Sequence, residues 1–147
     1  MTRKLSVILS ITVIVALGAA SALAAGGAKI NLRKVGDLGK VVVNSKGRTL
    51  YLFEKDTNGK SHCSGTCAMA WVPVTTHGKP AAGKGVKASL LGTVKRSDGT
   101  TQVTYNKHPL YTFVQDTKAG TATGEGSKAF GASWYVVNAA GKKIDKS

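Results

Sequence analysis

Two stretches of this chain repeat each other at a distance of sixty residues, without a gap. Leu50-Tyr51-Leu52-Phe53-Glu54-Lys55-Asp56-Thr57 returns as Leu110-Tyr111-Thr112-Phe113-Val114-Gln115-Asp116-Thr117, and Val43 and Val103 extend the match upstream. A tryptophan and strand-forming residues then close each copy, as Trp71-Val72-Pro73-Val74 and Trp134-Tyr135-Val136-Val137. Internal duplication constrains the fold before any local propensity does. Halves this small cannot each bury a sufficient core, so the copies are expected to share one.

Alternation with a period of two dominates, and no amphipathic helix is predicted after residue 24. Val41-Val42-Val43 reads as a strand ended by the turn Asn44-Ser45-Lys46-Gly47, with residues 49–53 returning. The second copy repeats the plan. Residues 93–95 lead into the Ser97-Asp98-Gly99 turn, then 101–105, the turn Asn106-Lys107-His108 and the strand 110–114. Residues 133–138, the turn Ala139-Ala140-Gly141 and residues 142–144 finish the chain. The prediction is an all-β fold of about eight short strands, a small sandwich or barrel with pseudo-twofold symmetry. Its domain covers residues 39–147, with repeats at 39–76 and 92–141 and an N-terminal extension at 25–38.

The first 24 residues read as an export signal. Arg3 and Lys4 are basic, residues 5–20 are uncharged and mostly apolar, and Ala22-Leu23-Ala24 offers small residues for cleavage after Ala24. An uncleaved membrane anchor is the alternative, though the apolar run is shorter than the ~20 residues that span a bilayer. The expected location is secreted or periplasmic. Removing 24 of the 147 residues leaves 123, and losing two bases takes the formal charge from +14 to +12.

Seventeen of the 21 basic residues are lysine, scattered along the chain. Lysine is a hydrated point charge without the planar fork that reads phosphates and bases. Such charge points to anionic envelope polymers or a membrane surface as partners, or simply to a solubilising coat. No basic helix or aromatic-basic motif suggests specific nucleic-acid binding.

Tyr51 and Phe53 share one face of their strand, as do Tyr111 and Phe113, and large rings so placed are expected in the core. Asp56 and Asp116 follow these strands, where an Asx turn is the simple role and a paired ligand site the functional one. Asp56-Thr57-Asn58-Gly59 shares the opening of a calcium loop but lacks the remaining oxygen ligands and the closing Glu. Loops at 57–70 and 117–132 are long for a compact domain, and a Gly- and Lys-rich segment at 77–87 links the copies.

Cys63 and Cys67 lie in the first loop and are the only cysteines. In an exported protein they are expected to form a disulfide that staples this loop to the strand beginning at Trp71. The alternative is copper or thiol-redox chemistry. His62, Cys63, Cys67 and Met69 place an imidazole, two sulfurs and a thioether within eight residues, a set suited to Cu(I) if the thiols are reduced. His77 or His108 would have to complete it. No positioned nucleophile or phosphate-cradling helix follows from the motifs, so no catalytic residue, no cofactor and no enzyme activity are expected.

The repeated Tyr-x-Phe-x-x-Asp, with Cys63-Ser64-Gly65-Thr66-Cys67 and Trp71-Val72-Pro73-Val74, resembles the secreted-repeat family. That family comprises predicted bacterial lipoproteins carrying a Tyr-x-(Phe/Trp/Tyr)-x-x-Asp motif. The resemblance runs from Gly39 to Gly141 and takes in Arg96-Ser97-Asp98-Gly99-Thr100 and Asn106-Lys107-His108-Pro109-Leu110-Tyr111. It implies no particular activity. Here the chain departs from the family in having no lipid-anchoring cysteine, and in carrying Lys107-His108 where a single Gly is expected. The function expected from all this is a non-enzymatic binding or structural module of the cell envelope with a basic surface.

Overall fold

The computed structural model describes residues 26–147. The export segment read at residues 1–24 and its cleavage after Ala24 lie outside them. Strands carry the fold. They are β1 (Lys29–Lys34), β2 (Lys40–Asn44), β3 (Tyr51–Phe53), β4 (Trp71–Pro73), β5 (Ala81–Ala82), β6 (Leu91–Lys95), β7 (Thr101–Tyr105), β8 (His108–Pro109), β9 (Tyr111–Phe113), β10 (Trp134–Val137) and β11 (Lys143–Ile144). One short helix, α1 (Thr66–Ala70), sits in the first long loop, where no helix is expected from the sequence.

The central sheet has five antiparallel strands in the order β11-β10-β3-β9-β4. Its arrangement shows what duplication built. The two Tyr-x-Phe strands meet at the middle, with Tyr51 opposite Tyr111. Each then takes the tryptophan strand of the other copy, so that Trp134 lies opposite Phe53 and Trp71 opposite Phe113. The copies are therefore interleaved rather than set side by side.

The flanking hairpins follow the same exchange. β1 and β2 pair from Ile30↔Asn44 to Lys34↔Lys40, and β6 and β7 from Leu91↔Tyr105 to Lys95↔Thr101. β2 bridges to the second copy through Val41↔Asn138, and β7 to the first through Thr75↔Gln102. β1 lies within residues 25–38, assigned to an extension from the sequence. It is the counterpart of β6, and its Ile30 is fully buried, so the first repeat begins there. β5, in the segment linking the copies, runs parallel to β1.

The hairpin turn of the second copy is one residue shorter. Leu50 N–H donates to the Val42 carbonyl (3.0 Å) and Leu110 N–H to the Val103 carbonyl (3.0 Å). Val42, not Val43, is thus the counterpart of Val103, which corrects the ungapped match. The difference matters because a one-residue slip moves a side chain to the other face. Val42 and Val103 share one hydrophobic cluster while Val43 belongs to the other.

Those two clusters cover the two faces of the central sheet. One is aliphatic, built on Ile30, Leu50, Leu52, Leu110 and Val137 with Tyr105 and Tyr135. The other is a column of rings: Phe53 stacks on Trp134 (4.0 Å), Trp134 on Trp71 (3.9 Å) and Trp71 on Phe113 (4.2 Å). Tyr51 meets Trp71 edge-on at 5.2 Å, and Tyr111 meets Trp134 edge-on at 5.1 Å. Rings of this size bury about 150–250 Å² each, so the column dominates this side of the interior. Both copies supply alternate members of it.

Candidate functional site

The motif's tyrosines and aspartates bond across the copies. Tyr51 hydroxyl donates to Asp116 Oδ2 (2.5 Å), and Tyr111 hydroxyl to Asp56 Oδ2 (2.7 Å). The remaining carboxylate oxygens accept backbone N–H groups from their own loops, His62 to Asp56 (2.6 Å) and Thr123 to Asp116 (2.8 Å). Neither aspartate forms the Asx turn expected from the sequence; each reaches six or seven residues onward and pins a long loop to the sheet. Burial first, and the facing carboxylate second, push the Tyr51 phenol far above its ordinary range, and Tyr111 responds in the same direction for the same reasons. Both hydroxyls therefore stay protonated and donate. Burial also raises the Asp56 carboxyl, against the lowering effect of its two hydrogen bonds.

The pseudo-symmetry breaks around these pairs. In the half containing Asp116, Arg48 donates to the Asp116 carbonyl and closes the surface, leaving that aspartate 1% exposed. His108 stands where Arg48 does, sixty residues on, and makes no such contact to the Asp56 loop, although the Asp56 side chain is itself buried. A cleft of about 770 Å³ opens there, lined by Asp56, Asn58, Thr104, Asn106, Lys107 and His108. Asp56 and His108 also line an adjoining depression with Glu54 and Lys143. Burial holds the His108 imidazole below its ordinary pKa, so it is mainly neutral at neutral pH.

Beneath the cleft the interior changes character. Val35 and Val41 are buried in the first copy; their counterparts by hairpin register are Arg96 and Gln102, also buried. Arg96 donates to Ser61 Oγ (2.7 Å), Gln102 Oε1 (2.9 Å) and the Cys63 carbonyl (2.7 Å). Ser61 Oγ in turn lies 2.7 Å from the Tyr111 hydroxyl. A polar chain thus runs from Gln102 through Arg96, Ser61 and Tyr111 to Asp56. A buried cation so partnered fixes the position of everything bonded to it.

The other residues singled out from the sequence fall as follows. Cys63 and Cys67 form a disulfide with Cα atoms 5.3 Å apart, packed in the cluster that contains Trp71 and Trp134. Their sulfurs are joined, so they present no thiolate pair to a metal. His62 is partly exposed with Nδ1 at 4.0 Å from Asp56 Oδ1, and Met69 is 76% exposed. Among the described residues no group of three or more His, Cys, Asp or Glu is placed to hold a metal ion. His77 lines a different groove, with Lys79 and Thr101. Asp56 and His108 share the cleft, His62 adjoins Asp56, and Asp116 lies in the other half, so the two aspartates do not form one paired site.

Sequence reasoning missed the roles of Arg96, Gln102 and Ser61, and saw Lys107 only as a departure from glycine. Aligning Val35 and Val41 with Arg96 and Gln102 would have shown polar residues at two apolar positions, but that alignment needs the one-residue shift and the first strand. No curated protein and no solved structure matches the chain. The model of one family does match, over residues 33–75 and 92–138, and it is described as a secreted repeat of unknown function. With two copies covering most of the described fold, the chain belongs to this family of secreted repeats.

Proposed function

We propose that this protein works as a cell-envelope module that binds anionic polymers through its lysine-rich surface, after removal of the export segment near Ala24. One observation carries this reading. Every lysine among the described residues is exposed, and only Lys143 lies within ion-pair distance of a carboxylate, at 2.7 Å from Glu54 and 3.9 Å from Asp145. A surface of unpaired ammonium groups sums to a positive field that attracts polyanions without demanding a fixed sequence or shape. The aromatic column and the disulfide are the scaffold that displays it.

Retention of the mature protein on an immobilised polyanion tests the reading. Binding should be strong at low ionic strength and weaken steeply by about 0.5 M salt, because the screening length shrinks to a few ångströms. A protein that ignores the polyanion at low salt, or is held equally at high salt, contradicts it.

A further inference from the structure

We propose that the cleft at Asp56 and His108 is a binding site for an acidic saccharide unit, with Lys107 holding its anionic group. This rests on the polyanion reading above and narrows it to one place on the molecule.

Backbone conformation is the first argument. Four non-glycine residues among those described have positive φ, and three of them wall this cleft: Asn58 (54°), Asn106 (48°) and Lys107 (67°). Asparagine visits this region readily, whereas lysine does so at a cost. The chain carries its own comparison. Gly47 occupies the matching last position of the first copy's turn, with φ 75°. Glycine is what this turn needs, and the second copy has a lysine instead. A residue kept in an unfavourable conformation beside an open cleft points to a role for its side chain.

Preorganisation is the second. The turns bearing Asn58 and Lys107 abut, since a Cβ on Gly59 would lie 3.6 Å from the Lys107 carbonyl oxygen. Asn106 Nδ2 donates to the Gly141 carbonyl (3.0 Å), and Gly141 has no room for a side chain against it. Asp56 is held by the His62 N–H and the Tyr111 hydroxyl. The walls are thus fixed before anything binds, which lowers the entropy cost of binding.

Chemistry selects the ligand. Asn58, Thr104, Asn106 and His108 offer two amides, a hydroxyl and a neutral imidazole, groups that pair with sugar hydroxyls, while the Asp56 side chain is itself buried and serves to hold the wall. Lys107 is the cleft's one fixed cation. A bare polyanion would leave the amides without purpose, while a neutral sugar would give Lys107 nothing to hold. A sugar bearing a carboxylate or phosphate uses both.

Calorimetric titration with three probes tests the site: a uronic-acid oligosaccharide, a neutral oligosaccharide of equal length, and a polyphosphate of equal charge. The uronate should bind saturably and more tightly than either. Lys107→Gly should weaken it about tenfold, the loss of one charge-assisted contact. The same variant should melt at an equal or higher temperature, because glycine suits the turn. Lys118→Gln, an exposed lysine in the long loop that follows Asp116 in the other half, should leave uronate affinity unchanged. Undiminished uronate affinity in Lys107→Gly, equal affinity for the neutral sugar, or polyphosphate binding as tight as uronate would each overturn the site while the lysine-surface reading stands. Failure of every anion to bind would remove both.

Discussion

Tyr51 donates a hydroxyl hydrogen bond to Asp116, sixty-five positions later and in the other copy, while Tyr111 does the same for Asp56, fifty-five positions earlier. The motif that marks each repeat is therefore completed only by its partner. Within one copy, Tyr and Asp never meet. This explains why the two residues recur together: each copy carries one half of two identical contacts.

Coupling between these residues is measurable. Tyr51→Phe leaves a buried carboxylate oxygen without its donor and should cost about 1–3 kcal/mol. Asp116→Ala, which removes the acceptor, should cost a similar amount or more. Because both remove the same contact, the double variant should be less destabilised than the sum, by about 0.5–3 kcal/mol. Urea unfolding of the four proteins reads this directly, and additive losses would count against a shared bond.

Gly124 is predicted to be the least tolerant glycine of the second long loop. A Cβ there would fall 2.5 Å from Trp71 Cη2 and 3.0 Å from Phe113 Cδ1, and the rings of the column cannot yield to it. Gly124→Ala should destabilise by about 1–3 kcal/mol through overpacking. Gly131, which has nothing within 4 Å of a built Cβ, serves as a comparison. Its φ of 88° makes Gly131→Ala costly through backbone strain alone, so only Gly124→Ala should also alter the near-ultraviolet signal of the stacked tryptophans.

Removing the disulfide should loosen one loop and spare the rest. The Cys63–Cys67 bridge closes a small ring against the aromatic column, and ring-closure entropy for so short a loop is about 2 kcal/mol. Cys63→Ser with Cys67→Ser should lower stability by roughly that amount. Faster amide exchange in residues 57–70, with retention on a polyanion unchanged, is the expected pattern. Loss of anion retention in this variant would tie the disulfide to function.

Asp56 gives a pH signature whose sign follows from burial. Its carboxyl is raised in the folded protein, so the native state holds the proton more tightly than the unfolded chain does. The group's contribution to stability is therefore greatest below its unfolded pKa of about 3.9 and diminishes as pH rises through the folded value. Stability of the parent minus that of Asp56→Asn should fall between acid and neutral pH. A difference that grows with pH would mean the carboxylate is stabilised by its surroundings instead.

Much of the fold was legible because duplication and alternation are local signals. The Tyr-x-Phe strands, the Asp98-Gly99 turn and the closing Trp strands lie where periodicity puts them. Strand exchange was not legible, since a Tyr-x-Phe strand pairs equally well in principle with either tryptophan strand. In the exchanged order that the chain adopts, Trp71 stacks on Trp134 at the centre. β1 escaped because its one fully buried residue, Ile30, gives almost no pattern. As for the site, Asp56 and His108 were visible as residue types, whereas the cleft they share was not. Lys107 was visible as a departure from glycine, but its left-handed backbone was not.

Interleaving of the copies is best tested with the two tryptophans themselves, one from each repeat. Labelled with 5-fluorotryptophan, Trp71 and Trp134 give two fluorine resonances that can be followed in one urea titration of the intact protein. If each copy's interior is made by the other, both native signals vanish at the same urea concentration. A range of urea in which one native resonance persists after the other has gone would show two separable halves and contradict the account.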